Sequence, residues 1–231
     1  MNYKVIFFGT WGYGKYGLRS LLSSSKIEVI QVFTKFELNS INPYMNQVYE
    51  LAVENGIDVI NTSKNLLKRS AFEEAVLKNN DIDFIVSCCF DRILHQNIIQ
   101  LPKFAAINVH PSLLPQYRGV KPLENAIVNG ENETGVTIHK LEKEIDSGDI
   151  ILQRGGIEIS LEKMYNELYN EQCYLIEELL VDFFSKPIQY LKNTVRQDEK
   201  KVSYAPRLQQ KIDDNTTVKQ IRINFSNGNE P

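Results

Sequence analysis

Short apolar runs alternate with helix-period segments from the first residues onward. Strands are expected at Lys4 to Phe8, Ile27 to Phe33, Val59 to Ile60, Phe84 to Cys88 and Phe104 to Val109, and helices near Tyr16 to Leu22, Tyr44 to Asn55 and Ala71 to Lys78. Strands separated by helices are joined by crossovers, which build a twisted, mostly parallel sheet flanked by helices: an α/β fold. Two later strands, Val136 to Lys140 and Ile150 to Gln153, are separated by a short turn, so that part of the sheet is expected to be antiparallel. Met164, Leu168, Leu175, Leu179 and Phe183 then recur at helical spacing and predict a long helix covering one face. After Pro187 the periodicity fades, and Gln220 to Pro231 reads as a frayed tail. The expected organisation is one α/β domain over residues 1–190 followed by a short C-terminal extension over 191–231.

Composition narrows the class without identifying it. With 231 residues, 42% of them hydrophobic and 24% charged, the chain can bury one sizeable core. A formal charge of −3 argues against a nucleic-acid partner, which asks for a basic face. The early apolar stretch Val5 to Phe8 is only four residues, too short for a signal peptide or a span, so a cytoplasmic protein with no membrane contact is expected. Cys88, Cys89 and Cys173 form neither a disulfide framework nor a CxxC pattern and read as small buried hydrophobes; no metal is expected.

The chemistry gathers in two blocks. One is Ile107-Asn108-Val109-His110-Pro111-Ser112-Leu113-Leu114-Pro115-Gln116-Tyr117-Arg118-Gly119, and the other is Gly135-Val136-Thr137-Ile138-His139 followed by Asp146-Ser147-Gly148-Asp149. Period-two alternation sends Asn108 and His110 to the same face at the end of a strand, and Pro111 stops that strand by removing a ladder donor. His110 thus stands where sheet gives way to loop, the usual place for a site in an α/β protein. Taken singly, Asn108 also fits a strand-end cap, Asp146 an Asx-turn and His139 a strand-packing or surface residue.

The Asn-x-His-x-Ser-Leu-Leu-Pro run with its downstream Asp resembles the folate-dependent formyltransferases, the superfamily of glycinamide ribonucleotide, methionyl-tRNA and sugar-nucleotide N-formyltransferases. The resemblance implies a Rossmann-like formyltransferase fold, N10-formyltetrahydrofolate as co-substrate, and Asn108, His110 and Asp146 as catalytic trio. The chemistry suits them. An amine attacking a formyl carbonyl creates an oxyanion, and each donor to such an oxygen is commonly worth roughly 2.7–4 kcal/mol. Asn108 offers one donor. His110 as imidazolium offers another and can pass on a proton, typically a gain of about 10²–10⁴-fold. Asp146 is expected to raise the histidine pKa and fix the ring.

The first loop, Gly9-Thr10-Trp11-Gly12-Tyr13-Gly14-Lys15-Tyr16-Gly17, imitates two other motifs. As a phosphate-cradling P-loop it fails at Tyr16, where a small Ser or Thr hydroxyl must ligate magnesium. As a dinucleotide fingerprint it lacks an acidic residue at the end of the second strand, where Thr34-Lys35-Phe36 stands. A strand-to-helix turn that needs glycines is the plainer reading.

By the same resemblance, Cys88-Cys89-Phe90-Asp91-Arg92-Ile93-Leu94 corresponds to the family's pterin-binding loop, which makes Phe90, Arg92, Ile93, Leu94 and Ile99 folate-side candidates. Lys140 and Glu142 join them from the loop Lys140 to Ile145, mainly through backbone. Ile93, Leu94 and Ile99 are also spaced like the buried face of a short helix. The Arg118-Gly119-x-x-Pro122 continuation is closer to the methionyl-tRNA and sugar branches than to the glycinamide ribonucleotide branch. The tRNA branch carries a C-terminal barrel and a basic insertion after the second strand, whereas this chain has about 40 residues beyond Pro187 and the uncharged stretch Leu38 to Val48. The implied acceptor is a nucleotide-linked amino sugar, such as a dTDP-4-amino-4,6-dideoxyhexose bound for a lipopolysaccharide O-antigen. Trp11, Tyr13, Lys121, Tyr204 and Arg207 are its candidate contacts, with the tail from Val202 folding back to complete the acceptor site and dispensable for folding. Phosphoribosylglycinamide formyltransferase, a dinucleotide-binding protein and a non-catalytic sugar-nucleotide module are the alternatives, and a homodimer is left open.

Overall fold

The computed structural model describes residues 2–42, 44–63, 68–79 and 81–226. In chain order its elements are β1 (Tyr3–Gly9), α1 (Trp11–Leu22), β2 (Ile27–Thr34), α2 (Gln47–Glu54), β3 (Val59–Asn61), α3 (Arg69–Leu77), β4 (Phe84–Cys88), α4 (Gln96–Ile99), β5 (Ala105–His110), β6 (Arg118–Gly119), α5 (Pro122–Val128), β7 (Glu133–Lys140), β8 (Ile150–Glu158), α6 (Tyr165–Ser185), α7 (Pro187–Lys192), β9 (Tyr204–Ala205) and α8 (Val218–Ser226). Seven strands make one sheet in the order β3-β2-β1-β4-β5-β7-β8. The first five are parallel to their neighbours, and β7 and β8 extend the sheet antiparallel, as the short turn between them implied.

Burial on both faces explains the continuous apolar runs of the central strands. Along β1 the side chains alternate: Val5 and Phe7 join α1, α2 and α6 in one core, while Ile6 and Phe8 join Phe72 and Val76 of α3 and Ile98 of α4 in the other. Strand order places the carboxyl ends of β1, β4 and β5 side by side, and the site forms there.

Helix α1 starts five residues before the expected Tyr16, so Gly12, Gly14 and Gly17 lie inside it rather than in a loop. They are glycines because neighbours press close: a Cβ at Gly14 would stand 2.9 Å from the Gly9 carbonyl carbon, and one at Gly12 would stand 2.7 Å from the Tyr169 hydroxyl. The residue that takes the left-handed turn is Trp11, at φ +59. Tyr13 is a second departure. Its ring lies 4.2 Å from that of Tyr169 and its hydroxyl donates to Gln172 at 2.5 Å, so it is packed between α1 and α6 instead of facing an acceptor.

The segment expected to fray is folded over much of its length. Residues 218–226 form α8, whose Val218 and Ile221 are fully buried in the main core, and Arg222 donates to the carbonyls of Ile127 and Glu131 at 3.0 and 2.7 Å. Ile221, Ile223 and Phe225 alternate with polar residues, so the stretch lacks the helical spacing that would reveal such a helix. Positions 227–231 lie outside the described residues. Upstream, β9 pairs in parallel with β6, so the tail folds back as expected, and Ala205 is buried beside the sheet. Among the described residues no helix is long and apolar enough to cross a membrane.

Candidate active site

His110 is the last residue of β5, and Asn108 precedes it on the same face. The antiparallel partner β7 sets His139 directly opposite Asn108. Asp146, held at φ +52 in the loop after β7, closes the group. Its Oδ2 accepts the Gly119 amide at 2.9 Å and lies 3.5 Å from His110 Nδ1, while its Oδ1 lies 3.3 Å from Asn108 Nδ2 and 3.5 Å from His139 Nε2. His110 Nε2–H donates to the Tyr117 carbonyl at 2.8 Å. His139 Nδ1–H donates to the Lys140 carbonyl at 2.8 Å, which leaves Nε2 to accept from Asn108 Nδ2 at 3.1 Å. The trio expected from sequence is thus brought together, and His139 is a fourth member that the sequence reading left as a packing residue.

Strain marks the same edge of the sheet. Trp11, Cys89, Tyr117 and Asp146 all have positive φ without being glycine. Each such residue costs on the order of 1–3 kcal/mol, and outliers of this kind cluster at active sites. Thr10 Oγ1 donates to the Cys89 carbonyl and ties the loop after β1 to the loop after β4.

Charge within the group differs from the expectation that Asp146 keeps His110 protonated. Burial lowers the His110 pKa, Asp146 opposes this, and His139 adds to the lowering; the net direction is downward. The ring is therefore neutral at neutral pH, since taking a charge out of water outweighs a carboxylate 3.5 Å away. Burial also works against ionising Asp146, but His110, His139 and the Gly119 amide outweigh it and hold the carboxyl well below the usual carboxylate range. Cys89 is the nearest thiol. Burial, reinforced by Asp146 and Glu124, pushes it up to about 12, which leaves too little thiolate for a nucleophile.

The loop after β4 carries the folate-side candidates. Phe90 packs edge-on to Phe8 at 5.2 Å, Arg92 Nε donates to the Thr62 carbonyl at 2.9 Å with its guanidinium 5.3 Å from the Phe72 ring, and Ile93 is 63% exposed. Leu94 is buried in the second core, and Ile99 packs against it while remaining partly exposed. Lys140 Nζ is spent on Asp149 and Thr194, and Glu142 lines an open cavity of about 380 Å³ with Asp149 and Arg196. On the acceptor side, Trp11 is exposed beside the site, and Lys121 binds the buried Glu124 at 2.6 Å, a carboxylate the sequence did not single out. Tyr204 and Arg207 are exposed, Tyr204 opposite Arg118 in the β6–β9 pair.

An amide, a carboxylate and two imidazoles meet at the carboxyl edge of a parallel sheet, a set of groups able to donate to a carbonyl oxygen and to move protons. The chain belongs to the formyl transferase family, whose model matches residues 18–182. The methionyl-tRNA formyltransferase of Kosmotoga olearia is 35% identical over 230 residues, 97% of this chain and 70% of that protein. That of Fusobacterium nucleatum is 32% identical across 99% of this chain and 73% of its own length. Among solved structures, the N-formyltransferase of Helicobacter canadensis, in complex with folinic acid and dTDP-3-aminofucose, superposes with a TM-score of 0.70 at 23% identity, covering 96% of this chain and 79% of that one. The phosphoribosylglycinamide formyltransferase of Bacillus halodurans gives 0.65 at 25% identity over 82% and 94%.

Proposed function

We propose that this protein transfers the formyl group of N10-formyltetrahydrofolate to the amine of a nucleotide-linked amino sugar, a dTDP-4-amino-4,6-dideoxyhexose of surface polysaccharide synthesis being the representative acceptor. The convergence of Asn108, His110, His139 and Asp146 beside the Phe90–Leu94 loop carries this reading. The donor supplies an activated formyl carbon on a nitrogen leaving group. The loop suits such a group, because it presents backbone at the positive-φ Cys89, the exposed Ile93 and the cation of Arg92, whose Nε is held on the Thr62 carbonyl. In the reaction the acceptor nitrogen bonds to the formyl carbon, that carbon's bond to the donor nitrogen breaks, and one proton passes from the first nitrogen to the second. Neutral His110 can take up the proton and return it, and Asp146 steadies the charged ring in between. Asn108 is aimed by His139, and its looser bond to Asp146 at 3.3 Å is the one to exchange for the formyl oxygen.

The acceptor assignment rests on electrostatics and shape. Several phosphates of a tRNA must be met by cations, yet Lys121 is neutralised by Glu124 and the chain carries a net charge of −3. A nucleoside diphosphate asks less, and the exposed Trp11 and Tyr204 offer faces for a base. The identity shared with methionyl-tRNA formyltransferases over 97% of the chain favours a second reading, formylation of methionyl-tRNA. Incubation with N10-formyltetrahydrofolate and either dTDP- and UDP-amino sugars or methionyl-tRNA, following tetrahydrofolate formation by absorbance, tests both. Turnover with an amino sugar alone supports the first reading; turnover with methionyl-tRNA alone replaces it.

The lowered pKa of His110 gives a pH dependence. As pH rises through that pKa the ring loses its proton and becomes competent, so kcat/KM should climb at acid pH, with a midpoint below the ordinary histidine value of about 6.5, and stay level through neutrality. A rate that instead falls between pH 6 and 8 would show that imidazolium is the working form.

A further inference from the structure

Gln197 is buried at 4% exposure in the chain between α7 and β9, and every hydrogen-bonding atom of its amide is used. Nε2 donates to the carbonyls of Asp146 and Gly148 at 2.8 and 2.7 Å, and Oε1 accepts from Arg118 Nε and Nη2 at 3.0 and 2.8 Å. Arg118, itself 3% exposed, spends Nη2 also on Glu199 at 2.9 Å. The segment it belongs to serves the site from both sides: the Tyr117 carbonyl accepts from His110, and the Gly119 amide donates to Asp146. Ser203, in the same stretch of tail, fixes this segment through the Tyr117 and Arg118 amides, both at 2.9 Å.

We propose that Gln197 is a positioning residue for formyl transfer, bracketing the Asp146–Gly148 turn against Arg118 so that the C-terminal segment sets the distance between Asp146 and His110. Asp146 sits at φ +52, a conformation a non-glycine residue keeps only when its surroundings impose it, and the bond from Gln197 to its carbonyl is the constraint closest to that backbone. The hydrogen bonds of its side chain go to Arg118 and to the carbonyls of Asp146 and Gly148, so its effect passes through the turn. This deepens the function proposed above and rests on it for kinetics, but not for geometry.

Gln197→Met, neutral and similar in length, removes both arms of the bracket without adding a charge near the histidines. With three histidines in the chain, ring NMR can follow His110 in the free protein, and His95, at the start of α4, serves as internal control. The charged and titratable groups facing His110 are Asp146 and His139. Loosening Asp146 weakens the contact that favours the protonated ring, so the His110 midpoint should fall by at least about 0.5 pH, part of the 1–3 an adjacent opposite charge confers. Turnover should fall at least about tenfold while KM for the formyl donor changes less than about threefold, a pattern of lost transition-state geometry. Gln197→Asn, one methylene short of spanning both sides, should do the same and serves if the methionine variant does not fold. A folded variant with wild-type His110 titration and turnover would overturn the proposal. If the wild-type protein transfers no formyl group, the functional reading falls while the NMR comparison still decides the role of Gln197.

Discussion

Asp146→Asn and His110→Ala are each expected to lower kcat/KM for formyl transfer at least about 100-fold, the lower end of what a positioned proton carrier contributes. For His110 the loss is that of the group that moves the proton. For Asp146 it is a loss of order. Its two oxygens accept from the Gly119 and Asn108 N–H groups and face both imidazoles, and an amide in its place must turn an NH2 toward one of those donors. Either the site rearranges or a buried donor goes unsatisfied, at about 1–3 kcal/mol. Initial rates with saturating donor and variable acceptor, alongside circular dichroism to confirm the fold, give the measurement. A folded His110→Ala protein that keeps more than about a tenth of wild-type activity would remove the histidine from the chemistry.

Deleting residues 202–231 should unfold or severely weaken the whole domain, contrary to the sequence-based expectation of an intact donor-binding core. Val218 and Ile221 are fully buried in the core that contains the sheet, and losing them forfeits about 1.5–3 kcal/mol each. The deletion also strips Arg222 from the carbonyls of Ile127 and Glu131 and β9 from β6, leaving those buried groups to water or to nothing. For a chain of this size about 3 kcal/mol corresponds to a fall in Tm of at least about 6 °C. Thermal unfolding followed by far-ultraviolet circular dichroism reads it directly, and an unchanged Tm would mean that the tail is only draped on the domain.

Much of this arrangement was legible in the sequence, and the omissions share a cause. Asn108 and His110 could be read because period two is local, and Asp146 because its spacing came with a resemblance. His139 could not, since its place beside Asn108 depends on the register between β5 and β7; the alternation of Val136, Ile138 and Lys140 shows only that it faces the other way from them. The charge state of His110 was misjudged for a related reason: a carboxylate partner is visible in a sequence, whereas the burial of the ring beside His139 of β7 and the Tyr117 carbonyl is not. Gln197 lies 51 positions from the backbone it holds, with no motif around it. Helix α1 was placed too late because glycines ordinarily argue against helix, and here close packing against β1 and α6 overrides that preference.

The antiparallel pairing of β5 with β7 makes strand registry a determinant of chemistry. One residue of slip would bring Ile138 or Lys140 opposite Asn108 and turn the imidazole of His139 to the far side of the sheet. Between His110 and Glu133 the chain also carries Tyr117, Gly119 and the buried face of α5, so added length is cheap only at the exposed turn of Asn129 and Gly130, where closing a longer loop is a weak function of its length. A single added residue between Gly135 and His139 would take the site apart with each of its four side chains still present. Length can therefore change at the turn that leads into β7, while the strand itself admits substitution but no insertion.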